Sequence, residues 1–192
     1  GLIGTNQNLI GQQALPAQRT TPDAYTLQSL LARMEEAGCT HVVMEVSSHA
    51  LALRRTAGLW FQAGIFTNFT RDHLDFHGTM EAYRKAKGLL FQQCQTGIFN
   101  LDDGAGRQFA QVLAREIRLY PDRVSFQVHW PQGSCPVTLS IPGRFTVYNA
   151  LGVLACCLAL GLPMDQAAGA LARIPGVKGR VEVVPVPAPY TV

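Results

Sequence analysis

The sequence predicts an α/β fold built on a mostly parallel, Rossmann-like sheet flanked by helices, and two patterns lead to this prediction. Segments 41–46 and 63–67 are largely apolar runs of strand length, and they alternate with stretches in which apolar residues recur at helical spacing. Such strands are typical of parallel sheets covered by helices on both faces. Polar and ionisable residues gather directly after these runs, at 45–49 and 68–77. Because ligand-binding groups of an open α/β sheet collect at strand ends, the functional residues are expected there.

Composition narrows the class of protein. With 192 residues, of which 47% are hydrophobic and 15% charged, the chain can bury one sizeable core. The net charge is +3 and the basic residues are scattered, which predicts a small-molecule substrate and no nucleic-acid partner. Five cysteines without a C-x-x-C pair favour reduced thiols in a cytoplasmic protein. The longest apolar segment, 147–162, carries Asn149 and is shorter than the roughly 20 residues of a membrane span, so no membrane insertion is expected.

The sequence of the first half of the chain predicts one strand before a helix and two strands after it. Residues 2–5 form a short strand, and a polar loop follows as far as Arg19. The run Thr20-Thr21-Pro22-Asp23 predicts a helix start with a threonine cap and proline in the first turn, and Gly38 ends that helix. Strands at 41–46 and 63–67 come next.

The second half begins with more α/β elements, and its hydrophobic pattern then changes. A helix is predicted from about 80 to 93, a strand at 97–101, and another helix through Ile117. Residues 124–130 and 137–141 alternate apolar and polar side chains, which indicates a small antiparallel ribbon joined through 131–136. Two helices, 147–160 and 164–173, follow it, and the proline-rich tail 185–192 is typical of a linker.

The residues around 45–77 are suited to bind a divalent cation. A set rich in oxygen and lacking cysteine favours Mg²⁺, and its members are Glu45, Asp72, His73, Asp75 and His77. A zinc hydrolase is an alternative, because His73 and His77 are four residues apart and such residues share a helix face. Against it, Leu74 stands where the glutamate of that motif is expected.

Several other polar residues have both a functional and a purely structural interpretation. No G-x-S-x-G elbow surrounds Ser47 and Ser48, so their hydroxyls fit hydrogen bonding to a polar substrate better than nucleophilic attack. Thr20 and Thr21 can cap a helix, bind an anion at its N-terminus, or do both. By its neighbours alone Lys87 belongs to a solvated helix face, and Arg180 fits either a phosphate contact or a surface ion pair.

In order along the chain, these segments resemble the central, ATP-binding domain of the Mur ligases, a P-loop-type α/β domain. The likeness is strongest to the branch that adds a diamino acid to UDP-N-acetylmuramoyl-L-alanyl-D-glutamate in peptidoglycan synthesis. The matching segments are Gly-Leu-Ile-Gly-Thr, Thr-Thr-Pro, Met-Glu-Val-Ser-Ser-His-Ala-Leu, Arg-Asp-His-Leu-Asp-x-His-Gly, Tyr-x-x-Ala-Lys, Tyr-Asn-Ala-Leu and Gly-Arg-x-Glu. Each is short, but their order is specific.

The resemblance implies a reaction and a set of site residues. ATP phosphorylates the D-glutamate carboxylate, and the amine of L-lysine or meso-diaminopimelate attacks the resulting acyl phosphate, with Mg²⁺ offsetting negative charge. Substrate contacts fall on Thr20, Thr21, Ser47 and Arg55; metal contacts on Glu45, His73 and a carbamylated Lys87; ATP contacts on Asn149 and Arg180. A bacterial cytoplasmic monomer is implied.

Departures from the family pattern limit how much of the family's site we expect in this chain. Leu53 replaces a glutamine and Thr146 an asparagine of that pattern, and Gly4-Thr5-Asn6 lacks the second glycine and the lysine of a phosphate loop. We therefore expect a fragment: residues 1–183 as a central domain whose phosphate loop lies upstream, and 184–192 as a linker to a missing C-terminal domain, inactive alone. A non-catalytic UDP-sugar-binding module is the remaining alternative.

Overall fold

The computed structural model describes residues 1–67, 69–99 and 112–176. These residues divide into two compact units: residues 1–61 and 69–95 form the first, and the described residues of 62–67, 96–99 and 112–176 form the second. The predicted linker 184–192, Arg180, and parts of the strand and helix predicted between 97 and 117 lie outside the described residues.

A four-stranded sheet lies in the first unit, with β1 (Leu2–Ile3), β2 (Gln7–Ile10), β3 (Gln13–Pro16) and β4 (Val43–Met44) in the order β3-β2-β1-β4. The predicted polar loop up to Arg19 is wrong, because β2 and β3 form an antiparallel hairpin there. Gly11 supplies the positive φ of +57° at its turn, and Ile10 and Leu15 pack into the core despite the polar residues around them. Strand β1 pairs in parallel with β4, with Leu2 opposite Val43 and Ile3 opposite Met44.

Helix α1 (Ala24–Glu36) packs on this sheet through Leu27, Leu30 and Met34. Its N-cap is Asp23, so the predicted threonine cap is wrong. The predicted end at Gly38 is confirmed: Gly38 has φ +76°, and the N–H groups of residues 38 and 39 donate to the carbonyls of residues 35 and 34.

Three short helices complete the first unit. The strand predicted at 41–46 is shorter than expected, and α2 (Ser48–Ala52) begins directly after Ser47. Helix α3 (Leu74–His77) follows the histidine segment. The helix predicted from 80 to 93 is confirmed as α4 (Met80–Gly88), which Thr79 caps, continued by a 3-10 helix at Leu89–Gln92.

The second unit is centred on an antiparallel sheet. Strands β5 (Phe61–Phe66) and β6 (Cys94–Phe99) pair with each other, and most of their residues belong to this unit. The predicted ribbon is confirmed as β8 (Val124–Trp130) and β9 (Gly133–Leu139), but β9 begins within the segment 131–136 that was expected to connect the strands. Strand β7 (Leu113–Leu119) adds a third strand. Helices α5 (Arg144–Ala159) and α6 (Met164–Ala172) confirm the two predicted helices and pack their apolar faces against this sheet.

Strand β7 contradicts the helix predicted through Ile117, and a β-bulge explains the error. Arg115 lies opposite Gln127 and Arg118 opposite Ser125, so two residues of β7 face one residue of β8. Glu116 adopts φ +52° at the bulge. The inserted residue puts Ala114 and Ile117, three apart, against the same core, which imitates helical spacing. Among the described residues, no helix has both the length and the apolar character needed to cross a bilayer.

Candidate substrate and metal site

The carboxylate of Glu45 is held at the ends of two neighbouring strands. Because β1 and β4 are parallel and in register, Gly4-Thr5 and Glu45 leave the sheet at the same edge. The backbone N–H of Thr5 donates to Glu45 Oε1 at 3.1 Å, and the Thr5 hydroxyl donates to Oε2 at 2.8 Å. A Cβ atom at Gly4 would lie 2.7 Å from Oε1, so only glycine leaves room for this carboxylate position.

Thr20 and Thr21 lie next to Glu45. The Thr20 and Thr5 hydroxyl oxygens are 3.1 Å apart. Thr21 is only 1% exposed; its hydroxyl donates to the Glu45 carbonyl oxygen at 2.8 Å and accepts from the N–H of Ser47 at 3.0 Å. One buried threonine side chain therefore fixes the turn between β4 and α2.

Ser47 and Arg55 belong to the same network. Ser47 caps α2, and its hydroxyl oxygen accepts from the N–H of Ala50 at 3.2 Å. Arg55 Nη1 donates to the Thr21 carbonyl oxygen at 3.0 Å. A guanidinium has five N–H donors, so Arg55 can hold this carbonyl and bind an anion at once. The four residues expected at the substrate are thus linked to Glu45: Thr21 directly, Thr20 through Thr5, and both Ser47 and Arg55 through Thr21.

His73 lies in a separate cluster of rings in the first unit. It adopts a left-handed conformation with φ +54° just before α3, and its backbone N–H donates to Asp72 Oδ1 at 2.7 Å. Its ring contacts His49 with centroids 5.0 Å apart, and the His49 and His77 centroids are 5.4 Å apart. The buried Tyr83 ring stacks on His77 at 5.2 Å.

The second histidine of the predicted zinc pair is already engaged. His77 Nε2 lies 2.9 Å from the hydroxyl oxygen of the buried Ser48. Burial, and then the neighbouring His49 and His73, lower the pKa of His77 below its ordinary value, which favours the neutral ring. Within the described residues there is no group of three or more histidine, cysteine, aspartate or glutamate side chains arranged to hold a metal. The acidic and histidine residues predicted between 45 and 77 therefore do not converge on one metal site here.

Lys87 does not belong to the solvated face that its neighbours predict. Arg84 and Lys85 are exposed, and Lys85 Nζ makes an ion pair with Glu81 Oε1 at 3.0 Å. Lys87 is half-buried, with Nζ 5.1 Å from the centroid of the Tyr83 ring. Burial lowers the pKa of its ammonium group, and the negative charge of Asp72 partly opposes this. A larger fraction of the neutral amine is therefore present at Lys87 than at an exposed lysine.

Of the two residues expected at ATP, one can be described. Asn149 is exposed on α5, in the second unit. The neighbouring Thr146, which departs from the family pattern, is buried and its hydroxyl donates to the Pro142 carbonyl oxygen at 3.1 Å. That hydroxyl supports the first turn of α5. Arg180 lies outside the described residues.

The sequence interpretation missed Thr5, which donates hydrogen bonds to both carboxylate oxygens of Glu45. The segment Gly4-Thr5-Asn6 was compared only with a phosphate loop. A usable signal was present: if 2–5 and 41–46 are neighbouring parallel strands, the residues after each strand meet.

The α/β arrangement and the polar network at its strand ends are typical of a ligand-binding α/β domain, and comparison with known proteins identifies the family. The Mur ligase middle domain family matches residues 1–157, and the chain belongs to that family. It is 39% identical over 209 residues to the UDP-N-acetylmuramoyl-L-alanyl-D-glutamate--2,6-diaminopimelate ligase of Bacillus velezensis, covering 96% of this chain and 43% of the relative. The enzyme of the same name from Alkaliphilus metalliredigens is 41% identical over 204 residues, covering 96% of this chain and 41% of the relative.

A solved structure shares the fold. A UDP-N-acetylmuramoyl-L-alanyl-D-glutamate--2,6-diaminopimelate ligase superimposes with a TM-score of 0.80 at 26% identity, over 96% of this chain and 42% of that chain. The described α/β elements are therefore those of a Mur ligase middle domain. The chain spans about two fifths of the length of the curated relatives it matches.

Proposed function

We propose that this chain is the central part of an ATP-dependent ligase that adds 2,6-diaminopimelate to UDP-N-acetylmuramoyl-L-alanyl-D-glutamate. The observation that carries the proposal is the hydrogen-bond network that joins Thr20, Thr21, Ser47 and Arg55 to Glu45 through Thr5 and Thr21. The names of the relatives favour diaminopimelate over lysine as the amino acid added. We further propose that the enzyme acts in the bacterial cytoplasm as a monomer.

The network leaves Arg55 and Ser47 placed to bind an anionic peptide substrate, whereas the buried Thr21 hydroxyl is used within the network itself. Arg55 can pair with a carboxylate, since its hydrogen bond to the Thr21 carbonyl oxygen uses one of five N–H donors. The Ser47 hydroxyl accepts from Ala50 and keeps its own hydrogen for donation to substrate. Ordering these donors before substrate arrives lowers the entropic cost of aligning the reacting carboxylate.

The donors present suit a hard cation. Glu45 is exposed, and each of its carboxylate oxygens accepts a single hydrogen bond from Thr5, which leaves lone pairs for a metal. Mg²⁺ commonly binds through one or two carboxylates together with water and nucleotide phosphates, so it does not require three protein ligands. We assign Glu45, His73 and Lys87 as Mg²⁺-binding residues that serve more than one ion, because His73 lies in the ring cluster and not in the hydrogen-bond network of Glu45. Bound Mg²⁺ would offset negative charge during phosphoryl transfer from ATP.

Carbamylation of Lys87 fits its surroundings. The nitrogen lone pair of the neutral amine bonds to the carbon of CO₂, and loss of one proton leaves a carbamate anion. Only the neutral amine reacts, and burial at Lys87 lowers the pKa in that direction. The product would replace a cation by an oxygen ligand. A UDP-sugar-binding module without catalysis has no need of such a lysine, so Lys87 separates the two candidate functions.

Lys87→Ala tests the proposal in the complete protein. We expect ATP-dependent ligation of diaminopimelate to fall at least about 100-fold, the size of effect seen when one charge-stabilising group is removed from an active site. Added formate or acetate should restore part of the activity by supplying the missing carboxylate. Lys85→Ala is the matched control, because Lys85 lies on the same helix and makes only a surface ion pair. Full activity in Lys87→Ala would refute the assigned role.

A further inference from the structure

We propose that Thr5 is a positioning residue: it orients the Glu45 carboxylate and links it to Thr20, so that the metal-binding and substrate-binding sides of the site share one hydrogen-bonded unit. The proposal rests on the proposed function, which assigns Glu45 to the metal and Thr20 to the substrate.

Thr5 holds both oxygens of one carboxylate. Its backbone N–H reaches Oε1 at 3.1 Å and its hydroxyl reaches Oε2 at 2.8 Å. Two donors from one residue fix the plane of the carboxylate as well as its position. Gly4 contributes by lacking a side chain, because a Cβ atom there would approach Oε1 to 2.7 Å.

The backbone of Glu45 is fixed independently of its side chain. Its N–H donates to the Ile3 carbonyl oxygen at 2.8 Å, and its own carbonyl oxygen accepts from the Thr21 hydroxyl at 2.8 Å. An exposed glutamate on a fixed backbone still populates many rotamers. Thr5 removes that rotamer freedom, so it orients the carboxylate of Glu45 and is not needed to hold the Glu45 backbone in place.

The direction of the hydroxyl hydrogens follows from chemistry. A hydroxyl has one hydrogen, and the Thr5 hydroxyl donates it to Glu45 Oε2 at 2.8 Å. The contact of 3.1 Å between the Thr5 and Thr20 hydroxyls must then be donated by Thr20. Thr20 consequently presents its lone pairs to a ligand, and it would accept a hydrogen bond from a peptide N–H group of the substrate.

The chain provides a matched control for this contact. Thr26 also donates its backbone N–H, at 3.0 Å, and its hydroxyl, at 2.9 Å, to the two oxygens of one carboxylate, that of Asp23. That pair caps α1. Thr5→Val and Thr26→Val therefore remove the same hydroxyl contact from the same unit, one at the site and one at a helix cap.

The experiment measures Mn²⁺ affinity by electron paramagnetic resonance in the complete protein, in place of Mg²⁺, together with KM for the UDP-muramoyl dipeptide and the thermal midpoint. Thr5→Val should weaken Mn²⁺ binding by about 10- to 100-fold, as loss of a group that orients a metal ligand does, and should raise KM. Gly4→Ala should act in the same direction. Thr5→Ser, which keeps both donors, should retain the affinity of the unmodified protein. Thr26→Val should lower only the thermal midpoint.

Two results would overturn the proposal. One is Mn²⁺ binding by Thr5→Val equal to that of the unmodified protein, which leaves the proposed function standing. The other is an equal loss in Thr26→Val, which would mean that the effect is one of general stability. Absence of Mn²⁺ binding in the unmodified protein would refute the metal site of the proposed function and this inference together.

Discussion

Different interactions stabilise the interior of each of the two units. In the first, β4 has only two residues, and the chain beyond it is fixed by side-chain hydrogen bonds to the backbone, with Thr21 joining Glu45 to Ser47. In the second, three strands of seven residues each pair in sequence over an apolar core. Apolar burial is not directional and hydrogen bonds are. The first unit therefore has less regular structure than the second but holds its polar groups in fixed positions.

The largest effect should come from the apolar core of the second unit. Phe126 is 3% exposed on β8, opposite Val137. Phe126→Ala should lower the free energy of unfolding of this unit by about 3–5 kcal/mol, because it removes buried surface and leaves a cavity. Hydrogen exchange of the β8 amides measures that unit separately from the first.

Phe145→Ala is the control for the same chemical change, since Phe145 is 44% exposed at the start of α5. It should accelerate amide exchange in β8 far less. Equal effects of the two substitutions would mean that burial of apolar side chains is not what stabilises the second unit.

Regular elements with a clear period could be predicted from the sequence. The start signal at 20–23 and the glycine at 38 predicted α1, and alternation along 124–130 predicted β8. Two irregularities defeated the same method. The bulge at Glu116 replaced a period of two by a spacing of three, and the short hairpin β2–β3 carried too few apolar residues to be distinguished from a loop.

The site could be predicted only in part, because motifs along the sequence identify residues but not the contacts between distant segments. The family resemblance singled out Glu45 and Thr21 without their geometry, and the structure brings them into contact. Thr5 was missed because its importance comes from the register between β1 and β4, which is a pairing between segments about 40 residues apart. No local pattern contains that information. Lys87 likewise appeared exposed by its neighbours, whereas its burial depends on tertiary packing.

A smaller effect is expected where the first unit relies on directed hydrogen bonds. Thr21→Val keeps the shape of a buried side chain but leaves the Glu45 carbonyl and the Ser47 N–H without their partner. Leaving such groups unpaired costs about 1–3 kcal/mol. Urea denaturation, monitored by hydrogen exchange of the amides of residues 45–52, measures the loss in the free energy of unfolding.

Thr56→Val sharpens this test. Thr56 is also fully buried in the first unit, yet within the part of the chain that the structure describes its hydroxyl oxygen has no hydrogen-bond partner. Replacing an unpaired buried hydroxyl by a methyl group should be neutral or stabilising. If both substitutions destabilised the first unit equally, burial of the threonine methyl group, and not hydrogen bonding, would account for Thr21.

The smallest effect should come from the exposed polar contact that caps α1. Hydrogen bonds from the Thr26 backbone and then from its hydroxyl lower the pKa of Asp23 below 3.8. A carboxyl whose pKa is lower in the folded state stabilises that state above the unfolded pKa, and this contribution is lost as the pH falls through the lowered folded pKa. Asp23→Asn keeps a capping oxygen but cannot ionise. The thermal midpoint of the unmodified protein should therefore exceed that of Asp23→Asn at pH 7, and the difference should shrink as the pH falls below 3.8. A difference that stayed constant with pH would show that the cap acts through hydrogen-bond geometry alone, with no contribution from the charge of Asp23.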